Sequence, residues 1–191
     1  LPAEHKNACD GSLQKLESSL HRISKIVKAI SNFSLVSANA PMIPTEPQSF
    51  IEEAVLLCNL HFKTGNIALI LPETYPPAKV LCRPTEMVHA TYNLLSNGSD
   101  AVASLDERWV RVNINLTDTD VVISVTDSGT TPIASLAERL FEPFFTTKPV
   151  GKGAGLGLSQ ALGLIRANQG TLEIDPNSKH TCFSMKLPRL H

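Results

Sequence analysis

Gly151-Lys152-Gly153-Ala154-Gly155-Leu156-Gly157 runs straight into a stretch of helical spacing over 158–167 that ends at Asn168-Gln169-Gly170. Six of the ten glycines of the chain lie between positions 151 and 170. Glycine lets the backbone approach a ligand closely and turn its N–H groups towards one point. A helix N-terminus adds about half a positive charge there, so loop and helix together suit a chain of phosphates, with Lys152 as a mobile cation. The spacing is neither that of a P-loop nor that of G-x-G-x-x-G after a strand. On the glycines alone, a flexible loop without a ligand fits equally well.

Working back from this loop, Val121-Val122-Ile123-Ser124-Val125-Thr126-Asp127 alternates as a strand and pairs with 110–116. A period of two puts Asp127 on the side of Val121, Ile123 and Val125, the side that faces the core. An inward carboxylate is costly unless something donates hydrogen bonds to it, and an adenine amino group would do so. An Asp that merely opens a turn before Gly129 reads the same way. Further back, 85–104 has helical spacing, with Met87, Val88, Leu94, Leu95, Ala101 and Val102 expected inward. Asn93, Asn97 and Asp100 stand at i, i+4 and i+7, one polar stripe on that helix. Side-chain oxygens so placed suit Mg²⁺ held jointly with substrate phosphates. A solvated helix face is the plain alternative, although Asn is a mediocre helix former in mid-helix.

The remaining chain sets the frame. Its 191 residues are 42% hydrophobic and 18% charged, enough apolar material for a core, with a net charge of −1. That balance excludes the electrostatic footprint of a general nucleic-acid binder and argues against a polybasic membrane module. Cys9, Cys58, Cys82 and Cys182 are scattered without paired spacing, which points to a reducing, cytoplasmic setting. Cys58 and His61 make a lone C-x-x-H, weak ground for zinc. Apolar runs at 54–58 and 67–71 are too short to cross a bilayer, and no signal-peptide pattern opens the chain. The first residue is Leu1, so a piece of a longer protein is expected.

Leu13, Leu16, Leu20, Ile23, Val27 and Ile30 follow one another at steps of 3, 4, 3, 4 and 3, a heptad seam widened by Ile26 and Phe33. Such a helix needs a partner: another helix, a second copy, or its own domain's core. Pro41, Pro44 and Pro47 make 37–47 an extended linker. A short helix is expected over 50–58, and strands over 67–71, 79–82, 172–174 and 181–187. Strands segregate from helices, so the fold class is α+β: a two-layer sandwich with a mixed, mostly antiparallel sheet packed on helices, preceded by one long bundle helix.

Taken together, these stretches resemble the ATP-binding domain of sensor histidine kinases, relatives of gyrase and the heat-shock chaperone ATPases. Asn93-Leu94-Leu95-Ser96-Asn97-Gly98-Ser99-Asp100-Ala101 is similar to their N box, and Asp127-Ser128-Gly129 to the first glycine box. Phe141-Glu142-Pro143-Phe144-Phe145-Thr146-Thr147-Lys148 resembles the F box of the nitrogen-regulator type. Gly153-Ala154-Gly155-Leu156-Gly157-Leu158-Ser159 resembles the second glycine box, and His180-Thr181-Cys182-Phe183 the closing strands. The likeness spans roughly 43–188. It extends to Leu20-His21-Arg22-Ile23-Ser24-Lys25, which resembles the second helix of the dimerisation and phosphoacceptor hairpin. Residues 1–38 are then part of that hairpin and 39–191 the catalytic domain.

The resemblance implies roles residue by residue. Asp127 reads adenine, Gly129 lets the base approach, and Thr181 supports that end. Asn97 holds Mg²⁺, with Asn93 beside it. Asp100, Lys148, Gly153, Gly155, Leu156, Gly157 and Leu158 lie around the nucleotide, and Phe144 and Phe145 anchor a mobile lid. The implied activity is transfer of the ATP γ-phosphoryl group to a histidine, for relay to the receiver domain of a response regulator. The chain's own phosphoacceptor helix and a second copy, paired through 13–34, are the other implied partners. None of the six histidines is followed by Glu, so the acceptor is expected upstream of Leu1. A Glu stands at the Asn93 position in the ATPase relatives, and an Asn is no general base, so water attack is expected to be weak. A nucleotide-binding regulatory module without strong kinase activity, and an anti-sigma-type serine kinase, stay open. Two positions depart from the pattern: Thr131 where a second glycine is usual, and Gly98 where Ala is usual. Gly98 is expected to loosen its helix by up to about 1 kcal/mol.

Overall fold

A computed structural model describes residues 40–130, 139–148 and 154–190. The helix expected over 13–34, the departure at Thr131 and the glycines Gly151 and Gly153 lie outside these residues.

Two of the three helices among the described residues begin on a proline, whose missing N–H falls where a helix has no partner for it anyway. The first, α1 (Pro47–Thr64), buries Phe50, Ile51, Ala54, Cys58 and Phe62, and closes at Gly65. It is longer than the expected 50–58, because Phe62 carries the core stripe one turn past Cys58. Exposed Leu56, Leu57 and Leu60 blur that period in the sequence. The second, α2 (Pro84–Val102), buries Met87, Val88, Leu94, Leu95 and Val102 as expected. Ala101 instead faces solvent, while Gly98 and Ser99 take the inward places. The third, α3 (Gly157–Ala167), buries Leu158, Ala161 and Ile165.

Among the described residues, seven strands form one sheet: β1 (Ile43–Thr45), β2 (Ala68–Ile70), β3 (Lys79–Cys82), β4 (Trp109–Leu116), β5 (Asp120–Asp127), β6 (Thr171–Ile174) and β7 (Cys182–Leu190). Their order is β1-β3-β7-β5-β4-β2, with β6 also paired to β7. Only β2 and β4 run parallel; the other pairings are antiparallel. The stretch read as an extended linker thus contains a strand. Pro44 is tolerated there because among the described residues β1 is an edge strand that pairs with β3 alone. The helices line one face of the sheet in the order α1, α2, α3, with α2 central. Between the layers, Leu94, Leu95 and Ile165 meet Ile123, Met185 and Leu187, all nearly inaccessible to solvent. This is the expected α+β sandwich. No helix among the described residues is long and apolar enough to cross a membrane.

A buried polar knot ties the layers at one end. Asn168, with no exposure, accepts a hydrogen bond from the Arg83 main-chain N–H (2.7 Å) and donates to Glu86 Oε2 (2.7 Å) and to the Leu164 carbonyl (2.8 Å). Arg83 Nε donates to the Ala40 carbonyl (2.8 Å). The start of the described chain, the start of α2 and the end of α3 are thereby held together.

Candidate functional site

A cleft of about 450 Å³ opens between α2, the 139–148 segment and the start of α3. Helix α2 contributes Asn93, Asn97 and Asp100, the predicted stripe, because its opposite face is taken up by Leu94, Leu95 and Val102. The other wall is the loop Ala154-Gly155-Leu156 and the first turn of α3, Gly157 and Leu158. The structure therefore brings eight of the predicted residues together: Asn93, Asn97, Asp100, Lys148, Gly155, Leu156, Gly157 and Leu158.

Among the described residues no side chain caps the start of α3, and no acidic residue sits in its first turn. Its first main-chain bond runs from the Gln160 N–H to the Leu156 carbonyl (2.9 Å), so the preceding amides have no partner within the helix. Gly157 faces Asn93 across the cleft: a Cβ there would stand 3.9 Å from Asn93 Oδ1. Bare amides, a helix dipole and amide oxygens so disposed form a cradle for anionic oxygens.

The loop before α3 is locked onto the 139–148 segment. Gly155 has φ of 65°, and a Cβ there would come within 2.5 Å of the Phe144 carbonyl carbon and the Phe145 oxygen. Phe144 is itself left-handed, φ 68°, and its N–H donates to the Gly155 carbonyl (2.9 Å). A bulky residue in that region is strained by roughly 1–3 kcal/mol. The reading of Phe144 as an apolar anchor is corrected: the residue is 54% exposed. In this segment it is Leu140 and Phe141 that pack against the core, with Phe141 edge-on to Phe183 at 6.3 Å. Phe145 is half-buried, with the Arg139 guanidinium 4.6 Å over its ring.

Asp127, Gly129 and Thr181 do not line the cleft; they form a buried cluster on the sheet side of α2. Gly98 of α2 packs against this cluster: a Cβ there would stand 3.5 Å from Asp127 Cβ and 3.3 Å from Val110 Cγ2. Gly98, expected only to loosen its helix, is a place where α2 lies close against the sheet. Asp127 ends β5 facing inward at 2% exposure, as the alternation required. The Gly129 N–H donates to its Oδ1 (2.8 Å), and main-chain bonds link Asp127 N–H to Thr181 O (3.0 Å) and Thr181 N–H to Gly129 O (3.1 Å). Burial pushes the Asp127 carboxyl from an ordinary 3.8 up to about 6, against the lowering effects of the Gly129 N–H, the Thr181 hydroxyl and the His180 charge. A Cβ at Gly129 would lie 2.7 Å from Asp127 Oδ1, so this carboxylate is reachable only beside a glycine.

Sequence reasoning missed three features. Lys148 Nζ and Asp100 Oδ2 form an ion pair at 2.7 Å across the cleft. His180 stands edge-on to Trp109 at 5.0 Å, with Arg111 over the same indole, next to the Asp127 cluster. Ser96, Thr146, Thr147 and Gln160 also line the cleft. The two pairings join positions far apart in sequence, and no local spacing announces them. Zinc at Cys58 and His61 has no support: Cys58 faces the core and His61 solvent, and burial pushes the thiol up to about 12. Among the described residues no group of three or more His, Cys, Asp or Glu could hold a metal ion. Donors on offer for Mg²⁺ in the cleft include the Asn97 and Asn93 amide oxygens and the Asp100 carboxylate, which suit a hard cation bound mainly through phosphate oxygens.

Residues 82–191 match the family described as histidine kinase-, DNA gyrase B-, and HSP90-like ATPase. Among curated proteins, the sensor kinase CckA of Brucella abortus is 51% identical over 71 residues, 37% of this chain and 8% of that protein. The two-component sensor PprA of Pseudomonas aeruginosa is 30% identical over 181 residues, 92% of this chain and 20% of that protein. The chain thus spans a fifth or less of the length of either. Among solved structures, the catalytic domain of histidine kinase ThkA aligns with a TM-score of 0.65 at 25% identity, covering 78% of this chain and 99% of that one. Histidine kinase ThkA in complex with response regulator protein TrrA aligns at 0.72 and 22% identity, covering 94% and 51%.

Proposed function

Because this chain belongs to the histidine kinase-, DNA gyrase B-, and HSP90-like ATPase family, we propose that it is the ATP-binding catalytic part of a sensor histidine kinase, with the γ-phosphoryl group passing to a histidine outside residues 1–191. The observation that carries this reading is the cleft itself: an amide stripe on α2 facing the uncapped N-terminus of α3, with the buried Asp127 carboxylate on the sheet side of the same helix.

Each residue has a task in this reading. Asp127, ionised above about pH 6, accepts the exocyclic amine of adenine, and Gly129 leaves room for the ring. The amides at the start of α3 hold phosphate oxygens. Asn97, aided by Asn93, holds Mg²⁺, which when bound neutralises phosphate charge. Asn93 cannot take a proton from water at neutral pH, so the site positions ATP for an imidazole nitrogen to form the N–P bond as ADP departs, in preference to hydrolysis. Residues 1–38 serve as part of a dimerisation hairpin that pairs two copies through 13–34, and 39–191 as the catalytic domain, working in the cytoplasm. The product passes on to the receiver domain of a response regulator; the complex of the similar ThkA with a response regulator supports that partner.

The test supplies the chain with γ-labelled ATP, Mg²⁺ and a separate phosphoacceptor hairpin. Acid-labile, base-stable label on the hairpin histidine is the expected result. Tight ATP uptake without transfer would instead identify a regulatory module, acid-stable phosphoserine on a partner a serine kinase, and steady phosphate release a hydrolase. Any of these overturns the reading.

A further inference from the structure

Of the described residues lining the cleft, Lys148 is the one cation and Asp100 the one anion, and they are spent on each other at 2.7 Å. A nucleotide polyphosphate entering here brings three or four negative charges to a wall whose ammonium is already matched. We propose that Asp100 is not a ligand of the nucleotide or of its metal but the nucleotide's rival for Lys148: a phosphate group takes over the ammonium that the carboxylate holds. This rests on the nucleotide reading above and goes further by assigning Asp100 a role opposed to binding.

Three observations support the exchange. First, the pair joins α2 to the 139–148 segment, so it is a tie between two walls and not a local contact along one helix. Second, the Lys148 and Asp100 side chains are 27% and 41% exposed, so water can replace either partner and separating them is cheap. Third, the Lys148 stem is long and flexible, whereas Asp100 is fixed on α2 one turn beyond Asn97. A short, fixed carboxylate beside a phosphate site repels the ligand and withholds its cation at once. The pair therefore sets affinity below what the cradle alone would give, and selects for ligands carrying enough phosphate charge to win the lysine.

Calorimetric titration tests this on the parent chain and on the Asp100→Asn, Lys148→Met and double variants. The probes are the Mg²⁺ complex of β,γ-imido-ATP, and adenosine. Asp100→Asn is expected to tighten the imido-ATP complex by about fivefold to tenfold, and Lys148→Met to weaken it by a similar factor. Adenosine should respond to neither. In the Lys148→Met background the gain from Asp100→Asn should shrink, because there is no ammonium left to release. Weaker binding by Asp100→Asn would make Asp100 a ligand and overturn the proposal; so would equal gains in both backgrounds, which are simple repulsion. Asp100→Ser and Lys148→Gln, checked by melting, serve if either first variant fails to fold. Failure of the parent chain to take up either probe would refute the nucleotide reading itself, and the exchange with it.

Discussion

Replacing Asp127 by Asn should make the protein more stable and less able to bind nucleotide. The Asp127 carboxyl sits at about 6 in the folded chain against an ordinary 3.8, and burial is the main cause. At 1.36 kcal/mol per pH unit the difference is about 3 kcal/mol. Because its folded value is raised, the folded chain keeps a proton that the unfolded chain has already released between those two values. The stabilisation is therefore fully present below about pH 4 and lost as pH rises through about 6. At about pH 7.5 the parent thus carries a buried charge to which the Gly129 N–H and the Thr181 hydroxyl donate. Asn has the same shape, still accepts the Gly129 N–H, and carries no charge. Urea unfolding at about pH 7.5 should show Asp127→Asn more stable by roughly 1–3 kcal/mol, the gap closing as pH is lowered towards about 5. The same variant should lose adenosine binding, while the parent's affinity should fall as pH drops below about 6 and the acceptor is protonated. Parallel stability curves for parent and variant between about pH 5 and 8 would refute the argument. Unimpaired adenosine uptake by the variant would refute the role given to Asp127.

Other perturbations bear on separate parts. Gly155→Ala must leave the left-handed region or collide with Phe144 and Phe145; a loss of roughly 2–4 kcal/mol in unfolding free energy, or abolished uptake of imido-ATP, is expected, and a neutral result would show the interlock to be loose. Asn168→Leu removes the acceptor for the half-buried Arg83 N–H and one donor to buried Glu86, and should cost roughly 3 kcal/mol in urea unfolding while leaving the m-value unchanged. Asn93→Glu supplies the missing general base and should raise phosphate release from Mg·ATP about tenfold or more; no rise would mean that Asn93 does not face the attacked phosphorus.

Much of this arrangement was legible in the sequence because it depends on short periods. The two-residue period of β5 fixes Asp127 as inward, and the helical period of α2 puts Asn93, Asn97 and Asp100 on one face away from the leucines. The glycine alternation marks the loop before α3. What could not be read depends on tertiary placement. A strand centred on Pro44 looks like linker until β3 lies beside it. Gly98 looks like a defect in a helix until Val110 and Asp127 come up against it. Phe144 and Phe141 are indistinguishable by type, and only the positive φ of Phe144 turns its ring outward. The Lys148–Asp100 pair spans 48 positions with no pattern to suggest it.

The crossing of Phe144 and Gly155 has a bearing on how such chains change over time. Phe144 adopts a backbone shape that is unfavourable by itself, and its carbonyl, with that of Phe145, fills the volume that a side chain at position 155 would need. Position 155 cannot gain a side chain unless the 144–145 backbone moves, so the two should drift as a unit across descendants. Substitutions scattered elsewhere on the rim are free of that obligation. An aligned set of relatives in which position 155 gains a side chain while the 144 backbone stays left-handed would contradict this.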